Sequence, residues 1–177
     1  MTAIVTCGHT RSALATVRAL GRHQIPVAVG ALKRPALAHW SALATSTFLT
    51  ADPRIRPETF AYELGREVEG RGAFSVMPST DAALFALSKW REHLPKHIDK
   101  KLPSQDAVLC AVQRYELTQC AEALGIDCVP TERLTSQMGT EDVIQVAKRI
   151  GFPLVLMPQI GVTLKLQESV ETSFHFK

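Results

Sequence analysis

The first thirty residues constrain the fold most tightly. A short apolar run, TAIVT, stops at Cys7-Gly8-His9-Thr10. The next stretch, RSALATVRALGRHQ, sets Leu14, Val17 and Leu20 at helical spacing, with Arg11, Arg18 and Arg22 elsewhere on the wheel. A second apolar run, Val27-Ala28-Val29, follows, and Gly30 is expected to end it. Neither run alternates apolar with polar residues. Strands read this way when both of their faces are buried, and a helix between two such strands makes them parallel neighbours. The opening therefore predicts a parallel sheet covered by helices.

The same unit continues. Thr47-Phe48-Leu49 reads as a third strand. Pro57 suits a first helical turn, and Phe60, Leu64 and Val68 recur at fourfold spacing up to Gly70 and Gly72. AFSVM, residues 73–77, is a fourth strand. Pro78-Ser79-Thr80 then caps a helix expected from Asp81 to about Glu92, with Asp81 favourably placed in its first turn. Strands thus return every 20 to 30 residues, the pattern of an open, doubly wound α/β sheet.

After residue 92 the pattern changes. HLPKHIDKKLPSQ, residues 93–105, is polar, carries two prolines and reads as a linker. Helices are expected over about 106–112, 114–124 and 140–150. A buried strand follows at Leu154–Met157, then a half-exposed strand in which Val162, Leu164 and Leu166 alternate with polar residues. This divides the chain into a Rossmann-like domain over 1–104 and a smaller α+β part over 105–177.

Composition narrows the function classes. Of 177 residues, 46% are hydrophobic and 21% charged, which suits a packed core. A net charge of +3 makes no electrostatic case for a nucleic-acid partner. The small lysine group Lys96, Lys100 and Lys101 reads as a solvated loop. No apolar run reaches the roughly 18 residues of a membrane span, and the N-terminus lacks the two regions of a signal peptide. Four cysteines without CxxC spacing read as reduced thiols, and a cytoplasmic location is the expectation.

Two turns are candidate ligand loops. Gly8-His9-Thr10 joins the first strand to the first helix, and Ser79-Thr80-Asp81 joins the fourth strand to its helix. Free N–H groups at a helix start can hold an anion. Ligands of open α/β sheets collect at the carboxyl ends of strands, so the two turns are candidates for one crevice. The plain alternatives are a tight turn and a simple helix cap. Neither loop is GxGxxG or a P-loop, and no acidic residue ends the second strand, so a nicotinamide-dependent oxidoreductase is a weak alternative. His93 and His97 are separated by Pro95 and lack the Glu of HExxH. Cys7, at a turn and expected to be partly exposed, would need a base and an orienting partner to act as a nucleophile.

The segment RYELTQCAEALGIDCVPTERL, a helix, and then IGFPLVLMP resembles the start of an ATP-grasp fold. In that family a Lys or Arg opens a helix, a "GIP-x-P-T" exit follows, and a helix leads into "GFP-hydrophobic-Lys-Pro". The upstream sheet resembles the family's pre-ATP-grasp domain, and PSTD its "P-T-x-D" segment. The flavour is that of carbamoyl-phosphate-synthase-like carboxylate ligases, and the likeness covers residues 2 to about 160.

The resemblance implies ATP-dependent activation of a small-molecule carboxylate through an acyl phosphate, with ATP and Mg²⁺ as cofactors. Arg114 matches the first phosphate-facing cation. Met157 stands at the position of the second, usually Lys. Methionine has no charge and donates no hydrogen bond. Losing such a charge-assisted bond costs about one to two decades in binding. About twenty residues follow Met157, too few for the Mg²⁺-binding half of the family's fold. The expectation is therefore a truncated ATP-grasp fragment that does not catalyse ligation as this chain and that self-associates through its C-terminal strands. A non-catalytic α/β module holding a small ligand or partner is the main alternative.

Overall fold

A computed structural model describes residues 2–159. The described residues form two compact units, the first running to Gln105 and the second beginning at Asp106.

The first unit is a parallel sheet with helices on both faces. Its strands are β1 (Thr2–Val5), β2 (Val27–Ala31), β3 (Ser46–Leu49) and β4 (Ala73–Met77), in spatial order β3-β2-β1-β4. The connecting helices are α1 (Arg11–Arg22), α2 (Pro57–Arg71) and α3 (Asp81–Lys89). β1 pairs with β2 through Ile4↔Ala28 and with β4 through Ile4↔Val76. Chain order thus runs one way from β1 to β3 and then jumps to the far side of β1 for β4. The reversal lies between β1 and β4.

Each sheet face has its own core. Ile4 and Ala28 point toward Phe60, Leu64 and Val68 of α2 and Ala83 and Leu87 of α3. Val5, Val27 and Val29 point the other way, toward Ala13 and Val17 of α1. Strand neighbours alternate between faces, and both faces are apolar, which is why the strand sequences show no polar alternation. Ile4, Phe60 and Leu64 are completely buried, and each such side chain contributes about 1.5–3 kcal/mol.

Three expectations need correction in this unit. Gly30 does not end β2; the strand runs to Ala31. A side chain at Gly30 would put its Cβ 2.8 Å from Phe48 Cζ of β3, so the glycine makes room for an aromatic ring within the sheet. α3 stops at Lys89, and a 3-10 turn (Arg91–His93) replaces its predicted last turn. Residues 93–105 are not a free linker. They contain a short helix, α4 (Lys96–Asp99), and bury Leu94 and Ile98 in the core beneath α2 and α3. Leu94 and Ile98, with the partly buried Leu102, recur at fourfold spacing and anchor the segment; the two prolines and the polar composition outweighed that signal in the sequence. Lys96, Lys100 and Lys101 are all exposed, as a solvated group should be, and Lys101 also donates to Phe74 O at 2.5 Å.

The second unit holds α5 (Gln105–Val112, which begins one residue before the unit), α6 (Arg114–Ala123) and α7 (Thr140–Ile150). The expected strand at 154–157 is absent among the described residues. Leu154, Val155, Leu156 and Met157 are 38–82% exposed and form no ladder. An apolar run becomes a strand only when another strand satisfies its backbone groups. The predicted strand at 162–167, and the self-association built on it, lie outside the described residues.

Candidate functional site

β1 ends in a sharp turn. Cys7 has φ +53°, a left-handed conformation that costs a side-chain-bearing residue about 1–2 kcal/mol. Gly8 follows where space is short: an added Cβ would lie 2.7 Å from Val29 Cγ1. Its N–H donates to Gly30 O at 2.9 Å, and its carbonyl accepts from Ala38 N–H at 2.7 Å. Gly8 is therefore a fixed structural position whose N–H is already committed. His9 is exposed. Thr10 caps α1, its Oγ1 accepting from Ala13 N–H at 3.1 Å and donating to Cys7 O at 3.0 Å.

The turn after β4 has the same design. Thr80 caps α3, Oγ1 accepting from Ala83 N–H at 3.2 Å. Asp81 is exposed in the first turn of α3, where its charge opposes the positive end of the helix dipole.

The fold brings these two turns together. Ser12 Oγ donates to Ser79 O at 2.9 Å. Ser79 N–H donates to Thr6 Oγ1 at 3.3 Å, and Cys7 Sγ lies 3.4 Å from Thr80 Oγ1. Six predicted residues, Gly8, His9, Thr10, Ser79, Thr80 and Asp81, thus stand at the carboxyl ends of adjacent strands, at the reversal of strand order. Two helix N-termini start there side by side, and each leaves first-turn N–H groups without an intrahelical partner.

Sequence reasoning missed Thr6 and the Asp52–Arg54 pair, and placed Ser12 in the first turn without its role of fastening the two turns. Asp52 follows β3 and pairs with Arg54 at 2.8 Å. Hydrogen bonds from Arg54 hold the Asp52 carboxyl below the usual carboxylate range, with a smaller contribution from the charge of His9. Its place just after a strand's carboxyl end was the available signal. Cys7, expected to be partly exposed, is buried, and burial pushes its thiol up. A thiol held protonated is a poor nucleophile. Among the described residues, His93 Nε2 lies 3.5 Å from Glu58 Oε1 and His97 Nε2 lies 2.9 Å from Ala73 O, so the two side chains face different partners.

In the second unit Arg114 is the first residue of α6 and exposed, and among the described residues no carboxylate pairs with its side chain. Its backbone N–H donates to Gln159 O at 3.0 Å, which ties the start of α6 to the segment that follows Met157. Met157 is 54% exposed. The described residues hold no cluster of three or more His, Cys, Asp or Glu side chains suited to a metal ion.

Solved structures share this architecture. N5-carboxyaminoimidazole synthetase from Staphylococcus aureus, complexed with ADP, matches with a TM-score of 0.61 at 13% identity, over 90% of this chain and 39% of that one. The chain has the fold of the N-terminal part of the ATP-grasp carboxylate ligases. The biotin carboxylase domain of Hydrogenobacter thermophilus 2-oxoglutarate carboxylase, with MgADP, ADP and bicarbonate, matches at 0.56 and 15% identity, over 86% of this chain and 33% of that one. Phosphoribosylglycinamide synthetase from Anaerococcus prevotii matches at 0.52 and 14% identity, over 94% and 39%. The chain therefore spans well under half of these ATP-grasp structures. No family model and no curated protein matches the sequence. No helix among the described residues is long and apolar enough to cross a membrane.

Proposed function

We propose that the first unit binds a small carboxylate at the reversal between β1 and β4, and that the second unit supplies one phosphate-facing cation, Arg114, of an ATP-grasp site. The observation that carries this is the joining of the Gly8-His9-Thr10 and Ser79-Thr80-Asp81 turns through Ser12 and Thr6. Open α/β sheets place ligands at such a reversal; both helix starts offer N–H groups to an anion, and α1, with no acidic residue in its first turn, offers its positive dipole end as well. The nucleotide-bound neighbours and the arginine that opens α6 support the second half. The ordered series from Arg114 to Pro158 favours an ATP-grasp fragment over the plain binding module.

The residues fit ATP in part. Arg114 would hold phosphate oxygens, and ATP when bound supplies the phosphoryl group that activates the acid. Met157 offers no second cation, and the described residues offer no carboxylate set for Mg²⁺. The contribution proposed for the described residues is to hold and orient the acid. The alternative of a binding module without chemistry makes the same first-unit prediction and differs only in Arg114.

Calorimetric titration separates the two readings. Small carboxylates are expected to bind wild type and to bind Ser12→Ala more weakly, because the bond fastening the two turns is gone. ADP is expected to bind weakly, to lose affinity in Arg114→Ala and to gain about tenfold in Met157→Lys. Carboxylate binding with no response of ADP to either second-unit variant would favour the plain binding module. Unchanged carboxylate affinity in Ser12→Ala would overturn the crevice.

A further inference from the structure

In the second unit two cysteines on consecutive helices face each other. Cys110 lies in α5 and Cys120 in α6, and their sulfurs are 3.6 Å apart. Only Gln113 separates the two helices, so the pair sits across the corner at which Arg114 begins α6. Cys120 is exposed and Cys110 half-buried, which gives a small reagent access to one sulfur and keeps the other close behind it.

We propose that Cys110 and Cys120 form a reversible intramolecular disulfide by exchange with low-molecular-weight disulfides. Closure to about 2.05 Å needs the sulfurs to approach by about 1.5 Å, within reach of side-chain rotation and a small movement of the helices. The Cys120 thiolate attacks one sulfur of the small disulfide, forming a mixed disulfide and releasing one small thiolate. The Cys110 thiolate then attacks Cys120 Sγ and releases the second. The protein pair loses two electrons and two protons, and the small disulfide gains them as two thiols. Cys128 is a less suitable partner, since its sulfur points to Thr118 O at 4.0 Å. Cys7 is buried in the other unit.

The bond would lock the α5–α6 corner. An effect of that lock on nucleotide binding rests on the role proposed above for Arg114; the bond itself does not.

The test is to incubate the full chain with oxidised glutathione, titrate free thiols after denaturation, and map peptides without reduction. The expected result is a fall from four free thiols to two and a Cys110–Cys120 cross-linked peptide that dithiothreitol reverses. Cys110→Ser should stop at a stable glutathione adduct on Cys120. Retention of all four thiols, a cross-link to Cys128, or covalent dimers in place of the internal bond would overturn the proposal. Should Cys110→Ser fold poorly by circular dichroism, Cys120→Ser provides the same comparison: loss of an internal cross-link supports the pair, and persistence of one refutes it. ADP titration of the oxidised chain is a separate readout, so a null result there counts against the Arg114 reading and leaves the disulfide standing.

Discussion

Replacing Gly65 with alanine should destabilise the first unit, against the usual direction. Gly65 lies inside α2, where Gly→Ala ordinarily gains about 0.8–1 kcal/mol through helix propensity. Here an added Cβ would sit 2.1 Å from His93 O, a backbone atom that cannot swing aside. An ordinary contact begins at 3.4 Å, so the backbone at 93–94 must retreat by about 1.3 Å. That movement pulls Leu94, 7% exposed, from the core. Overpacking of this kind costs about 1–3 kcal/mol, and partial loss of a buried Leu adds about 1. After subtracting the propensity gain, the net destabilisation is about 2 kcal/mol, a fall of about 8–16 °C in Tm for a unit of this size. Both tryptophans, Trp40 and Trp90, lie in the first unit, so thermal unfolding followed by fluorescence reports on it directly. Gly70→Ala is the control. It lies in the same helix with nothing within 4 Å of its Cβ, and it should be neutral or stabilising by up to about 1 kcal/mol. A Gly65→Ala variant as stable as Gly70→Ala would refute the packing of 93–94 on α2.

Two further outcomes follow from the carboxyl end of the sheet. Because Arg54 holds the folded Asp52 pKa below its unfolded value of about 3.9, the pair's contribution is present above that value and lost as pH falls through the folded pKa; carbon-detected NMR titration should show the Asp52 midpoint rise in Arg54→Ala, and an unchanged midpoint would contradict the pairing. Cys7 should be the last of the four cysteines alkylated in the native chain at pH 8, since it is buried with a raised pKa; early labelling at Cys7 by peptide mapping would show its turn to be open.

The first unit was legible in the sequence because its strands are buried on both faces and its helices carry regular apolar spacing. Ile4, Val29, Phe60 and Leu64 advertised their environment by repetition. The segment 93–105 was misread because its prolines and polar residues outweighed the fourfold spacing of Leu94, Ile98 and Leu102, which pack on the core beside α2. The apolar run 154–157 misled for the converse reason: its composition suits a strand, but a ladder partner is a property of the rest of the fold. At the candidate site, the two turns were identifiable from strand ends and cap residues. The hydrogen bonds joining them were not, since Ser12 and Thr6 acquire their roles only when β4 comes to lie beside β1. The left-handed Cys7 carried no signal, because that conformation usually selects glycine.

The central claim is that the turns after β1 and β4 form one anion-binding crevice. The most direct measurement is a titration of uniformly ¹⁵N-labelled chain with a panel of small carboxylates, read by amide chemical shifts. The account predicts that one acid moves the amides of His9–Ser12 and of Ser79–Ala82 together, with a single binding constant that weakens in Ser12→Ala. Shifts confined to one turn, or saturable shifts elsewhere in the chain with both turns silent, would contradict it.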